Sequence, residues 1–126
     1  MKEAIATASA PAAQGPYSQG VKTDSLVFVS GQLGLDPATG DLVSDELVPQ
    51  VEKVIDNIEA VLAAEGLTLA DVVKSTVFLT DMGNFGAMNE LYARRFPAPF
   101  PARSAVEVGP LAKGAKVEIE VIAARR

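Results

Sequence analysis

The chain of 126 residues has no cysteine and no histidine. Those two absences exclude disulfides, thiolate nucleophiles, Ser-His-Asp triads and the usual zinc sites. Proton transfer must then run through carboxylates, tyrosine, lysine, main-chain groups or water. Long apolar runs are missing as well: no stretch approaches the roughly 20 residues that cross a bilayer. The opening MKEAIATASAPAA, with an acid beside its one early lysine, does not read as a secretory signal. The expectation is a cytoplasmic protein with no membrane partner. Positive charge is scarce, with 11 Lys and Arg against 16 Asp and Glu and a net charge of −5. Such a field repels polyanions, which argues against nucleic acid as a partner. All the arginines, Arg94, Arg95, Arg103, Arg125 and Arg126, fall in the last third, which is compatible with a local anion site.

Metal and cofactor motifs are also wanting. Asp36, Asp41, Asp45 and Glu46 sit in a Pro/Gly-rich segment without calcium-loop spacing, so no metal is expected. GPLAKGAK, residues 109–116, resembles a phosphate loop only superficially. Ala115 stands where the lysine belongs, and a strand rather than a helix comes next. GQLG, residues 31–34, lacks the spacing of a dinucleotide fingerprint. No cofactor is expected.

What is present is a chain with 48% hydrophobic residues, enough for one domain over 1–126. A short edge strand is expected over Glu3–Thr7, then strands over Gln19–Lys22 and Leu26–Ser30 joined as a hairpin through Thr23, Asp24 and Ser25. Val51, Val54, Ile55, Ile58, Val61 and Leu62 recur every three or four residues and predict a helix over 47–65, with Pro49 in its first turn and Gly66 at its end. Lys53, Asp56 and Glu59 occupy its outer face and read as solvated charge. Val72–Leu79 is a β-branched central strand. Phe85, Met88, Leu91, Tyr92 and Phe96 mark a second helix that stops before Pro97, its apolar stripe reading as core. RSAVEV and KVEIEVIA alternate as strands, the latter setting Glu118 and Glu120 opposite Val117, Ile119 and Val121. The order predicts an α+β fold, a mixed β-sheet with two helices packed on one face. The other face, too apolar to be left wet, predicts self-association as a closed symmetric oligomer.

Three segments carry a family resemblance: IATASAPAAQGPYSQG, FVSGQLGLDPATG and PARSAVEVGPLAKGAKVEIEVIA. Together they resemble the RidA/YjgF family of enamine/imine deaminases over nearly the whole chain. The most specific part is Pro101, Ala102, Arg103 and Ser104, followed at the family's distance by Val117, Glu118 and Ile119. The resemblance implies a chorismate-mutase-like fold, a homotrimer with clefts between subunits, and hydrolysis of 2-imino acids such as 2-iminopropionate and 2-iminobutyrate to 2-keto acids and ammonia. Such chemistry suits the composition. An imine carbon is already electrophilic, so a site needs only to hold the substrate carboxylate and position a water.

On this resemblance Arg103 clamps the carboxylate, as a planar guanidinium can do with two parallel hydrogen bonds. Glu118 activates or orients water; as a lone strand residue it would read as solvated charge. Tyr17, Ser30, Gly31 and Asn89 match positions that line the cleft. Ser30 reads equally as a strand-end hydroxyl, and Asn89 as an exposed helix residue. Ala105 stands where many members have cysteine, and the expectation is that its main-chain carbonyl does the binding. Between Asn89 and Arg103 the chain is shorter than in archetypal members. Three alternatives from other classes remain: a holdase-like or metabolite-binding trimer without catalysis, a ribonuclease, and a chorismate-mutase activity that shares the fold by analogy only.

Overall fold

A computed structural model describes residues 1–126. Six strands, β1 (Glu3–Ile5), β2 (Gly20–Lys22), β3 (Leu26–Gln32), β4 (Val72–Leu79), β5 (Ala102–Glu107) and β6 (Val117–Ala124), form one sheet in the order β1-β2-β3-β6-β4-β5. All neighbours are antiparallel except β4 and β5, which run parallel because a helical crossover joins them. The helices are α1 (Leu47–Ala63) and α2 (Phe85–Arg95). Both lie on one face of the sheet, as the one-sided stripes required.

The core follows from periodicity. Val51, Val54, Ile55, Ile58, Val61 and Leu62 of α1 are fully buried against Val27, Val77, Val117 and Ile119 of the sheet. Gly66, at φ 71°, ends α1 in the left-handed conformation. Gln50 and Asn57 are also fully buried on α1. Gln50 Nε2 donates to the Ser44 carbonyl, its Oε1 accepts from Lys116 N–H, and Asn57 Nδ2 donates to the carbonyls of Leu33 and Leu35. These bonds tie the Pro/Gly-rich loop before α1, and the residue before β6, to the helix.

Three expectations need correction. The edge strand stops at Ile5 rather than Thr7, because the Thr7 N–H is taken by Gln19 Oε1 at 2.7 Å instead of a neighbouring strand. The third strand runs two residues beyond Ser30, through a bulge between Val29 and Gln32. The outer face of α1 is not merely solvated: Glu52, Asp56 and Glu59 hold Arg95 at 2.8, 2.8 and 2.6 Å, clamping α2 to α1. The uncovered face of the sheet is half apolar, with Phe28, Phe78 and Ile122 interspersed with Lys74, Thr76, Glu118 and Glu120.

Candidate active site

Strand register decides where each candidate points. Arg103 on β5 lies opposite Ser75 on β4, which lies opposite Val121 on β6. Ser75 and Val121 are buried under the helices. Cross-strand partners share a face, so Arg103 also points to the helix side. There its guanidinium carbon sits 4.8 Å from the Tyr92 ring centroid and 5.5 Å from that of Phe85. Asn89, Tyr92, Ala93, Phe100, Pro101 and Arg103 line a cavity of about 340 Å³ between α2 and the edge of the sheet. Ala105 lies two residues along on the same face, partly buried against the core.

The remaining arginines have partners. Arg94, Arg95, Arg125 and Arg126 each make an ion pair with a carboxylate of the chain. Arg103 alone has aromatic faces and no carboxylate.

Glu118 is on the other side of the sheet. It alternates with buried Val117 and Ile119 and faces Phe78 across the strand pair. Burial, and next the charge of Glu120 on the same face, push its carboxyl above the ordinary carboxylate range. Its side chain lies over Gly31 in the bulge of β3. A Cβ at Gly31 would overlap Glu118 Oε2 and come within 2.8 Å of its carboxyl carbon. Glycine here makes room for the catalytic candidate, whereas the sequence suggested only that its main chain could approach a substrate.

Ser30, beside Gly31, donates from Oγ to the Ser18 carbonyl at 2.6 Å and so ties the loop of residues 6–19 to the bulge. Tyr17 in that loop is exposed, and its hydroxyl accepts from the Gln14 N–H at 3.2 Å.

The seven candidates thus fall into two groups in one chain. Asn89, Arg103 and Ala105 sit on the helix side at the β5 edge; Ser30, Gly31 and Glu118 sit on the uncovered side, with Tyr17 in the loop that Ser30 anchors. Two strand spacings and three residues of rise place roughly 14 Å between the Cα positions of Arg103 and Glu118, with the side chains diverging.

Sequence and fold both have known relatives. A family model described as endoribonuclease L-PSP covers residues 7–125. The chain belongs to the RidA/YjgF family. A goat (Capra hircus) relative named 2-iminobutanoate/2-iminopropanoate deaminase is 47% identical over 123 residues, 98% of this chain and 90% of that protein. The Arabidopsis thaliana protein named Reactive Intermediate Deaminase A, chloroplastic, is 50% identical over 122 residues; these are 97% of this chain but only 65% of that longer protein. Among solved structures, E. coli TdcF with bound serine superposes with a TM-score of 0.93 at 41% identity, covering 98% of this chain and 99% of that one. The α+β sheet with two helices on one face is the RidA/YjgF, chorismate-mutase-like fold.

Sequence reasoning missed Tyr92 as a wall of the Arg103 cavity and Phe85 as a second face of its guanidinium, assigning both to the core alone. The signal was present. Phe85, Asn89, Tyr92 and Phe96 recur at i, i+4, i+7 and i+11, one stripe of α2, so choosing Asn89 already chose the face that carries both rings.

Proposed function

We propose that this RidA/YjgF domain, residues 1–126, hydrolyses 2-imino acids to 2-keto acids and ammonia in a homotrimer whose sites lie between subunits. The observation that carries the reading is Arg103, the one arginine of the chain without a carboxylate partner. An unpaired guanidinium in a small cavity suits a carboxylate ligand, which it can grip with two parallel charge-assisted hydrogen bonds. The goat relative's name and the serine bound to TdcF support a small α-substituted carboxylic acid as that ligand.

The chemistry asks little of the protein. Water adds to the electrophilic C=N carbon, the nitrogen takes a proton, and the carbinolamine collapses to C=O with loss of ammonia. Glu118, whose proton is held more tightly than an ordinary carboxylate's, is a correspondingly stronger base for the attacking water. It can return the proton to the leaving nitrogen. Ser30 Oγ spends its proton on Ser18, so toward a ligand it offers only lone pairs. Asn89 supplies an amide beside Arg103, and Tyr17 an aromatic wall with a hydroxyl.

Arg103 and Glu118 occupy different surfaces of one chain, so a complete site requires the helix-side edge of one subunit against the uncovered side of the next. That contact is heterologous, and rotation by one third of a turn closes it into a ring of three. The half-apolar uncovered face supports burial at the ring centre. No helix is long and apolar enough to cross a membrane, and we retain the cytoplasm as the compartment.

The deciding experiment generates 2-iminobutyrate and 2-iminopropionate in situ and follows ammonia release. Acceleration by the parent and its loss in Arg103→Ala are expected, with weakened binding of 2-ketobutyrate; Arg103→Lys should rescue only in part. No acceleration by the parent would sink the reading. The ribonuclease suggested by the family description has no such support here, since the other four arginines are ion-paired and the net charge is −5.

A further inference from the structure

The guanidinium of Arg103 is held by rings rather than by a counter-ion. Tyr92 is nearly fully buried and lies with its ring 4.8 Å from the guanidinium carbon. Phe96 stacks on Tyr92 with centroids 4.1 Å apart and planes 16° from parallel. The Tyr92 hydroxyl and Ser75 Oγ form a buried hydrogen bond of 2.6 Å. Ser75 is itself the cross-strand partner of Arg103. A short circuit therefore runs from Arg103 through Tyr92 and Ser75 back to the β4–β5 pair that carries Arg103.

We propose that Tyr92 is the positioning residue for Arg103, presenting its guanidinium from an aromatic face anchored through Ser75 so that the hydrogen-bonding edges stay free for the substrate carboxylate. This rests on the assignment of Arg103 as the carboxylate clamp. A carboxylate in the place of Tyr92 would hold the guanidinium equally well, but it would occupy the N–H groups that a substrate needs and cancel the charge that attracts it. A π face attracts the cation perpendicular to its plane and leaves all five N–H donors unspent. Burial pushes the Tyr92 hydroxyl up in pKa, so the ring stays neutral and never becomes a counter-ion. Phe85, 5.5 Å from the same carbon and partly exposed, supplies a second, weaker face.

The role separates from general packing by comparing the ring with the hydroxyl, and each with Arg103. Tyr92→Phe keeps the face but loses the Ser75 anchor, and should raise KM for 2-iminobutyrate by about two- to threefold. Tyr92→Leu removes the face and should raise KM and weaken 2-ketobutyrate binding by roughly tenfold, with kcat changed far less. In an Arg103→Ala background, Tyr92→Leu should cost no further ligand affinity when binding is followed by NMR titration, which reads millimolar complexes. Parent-like binding by Tyr92→Leu, or an equal loss with and without Arg103, would overturn the proposal while leaving the clamp intact. Parent-like binding by Arg103→Ala would instead overturn the clamp assignment, and this proposal with it. Should Tyr92→Leu not fold, Phe85→Leu at its more exposed position reads the second ring on the same guanidinium. A roughly threefold loss, absent once Arg103 is gone, is expected there, and no loss would count against the aromatic cradle.

Discussion

Arg103 and Glu118 extend from opposite faces of one sheet, the first beneath α2 and the second over Gly31. If a site needs both, it must take them from different chains. Arg103→Ala and Glu118→Gln subunits, each inactive alone, should then complement one another. In randomly mixed rings one junction in four joins an intact Arg103 to an intact Glu118, so co-expressed variants should recover roughly a quarter of parent activity. Sites contained within a single chain would recover none. Sedimentation of the parent should show a particle of three chain masses.

Glu118, the proposed base, is costly to the fold. Burial and the neighbouring Glu120 raise its folded-state pKa above the ordinary 4.5. Ionisation therefore opposes folding: the penalty is absent below the unfolded value and grows as pH rises through the folded one. Glu118→Gln should melt at a higher temperature than the parent at neutral pH, with the difference closing below about pH 4.5. Its turnover should fall on the order of a hundredfold, while 2-ketobutyrate affinity changes little. A variant that melts lower than the parent at neutral pH would contradict the electrostatic account, and normal turnover would assign water activation elsewhere.

Two glycines give a matched contrast. At Gly31 the atoms in the way of a methyl belong to the Glu118 side chain, which can swing aside. At Gly34 they are the Cα and carbonyl oxygen of Gln50, each 2.8 Å away and fixed in the first turn of α1. Gly31→Ala should lower kcat by about ten- to a hundredfold at near-parent stability, because it displaces the proposed base. Gly34→Ala should lose about 1–3 kcal/mol in denaturant unfolding, because the helix itself must move. Reversal of the two phenotypes would show that Glu118 does not rest over Gly31.

Ala105 shares the helix side of β5 with Arg103 and is partly buried against the core. If its carbonyl is the working group, Ala105→Cys adds only a sulfur to the packing and should alter kcat/KM by less than about threefold. A large gain in rate would show that a thiol contributes chemistry that alanine lacks.

Periodicity made much of this fold legible. The stripe from Val51 to Leu62 could face only inward, and the alternation of Val117, Glu118 and Ile119 assigned Glu118 to the uncovered side before any coordinates. For β5 the same reasoning stalled. Ala102–Glu107 has no strongly apolar side, so alternation showed that Arg103 and Ala105 share a face without showing which. That choice is made by the parallel register with β4, set through the α2 crossover, and by the aromatic rings that receive the guanidinium. The fit of Glu118 over Gly31 was hidden for a similar reason: 86 positions intervene between them, and the bulge that aligns them is a property of strand pairing rather than of either segment. The ion cluster at Arg95 escaped because three carboxylates spaced along one helix face look the same whether they meet water or a cation from another helix.

The last strand of the chain is an interior strand of the sheet. β6 pairs with β3 on one side and β4 on the other, so every earlier element is synthesised before the piece that joins the two halves exists. Until Val117–Ala124 arrive, β3 and β4 each carry an unpaired edge rich in β-branched residues, the kind of edge that invites pairing with other chains. Folding thereby waits on Val117–Ala124, and nascent copies on neighbouring ribosomes are briefly one another's hazard. A chain cut before Val117 would lose the central seam of the sheet rather than an edge.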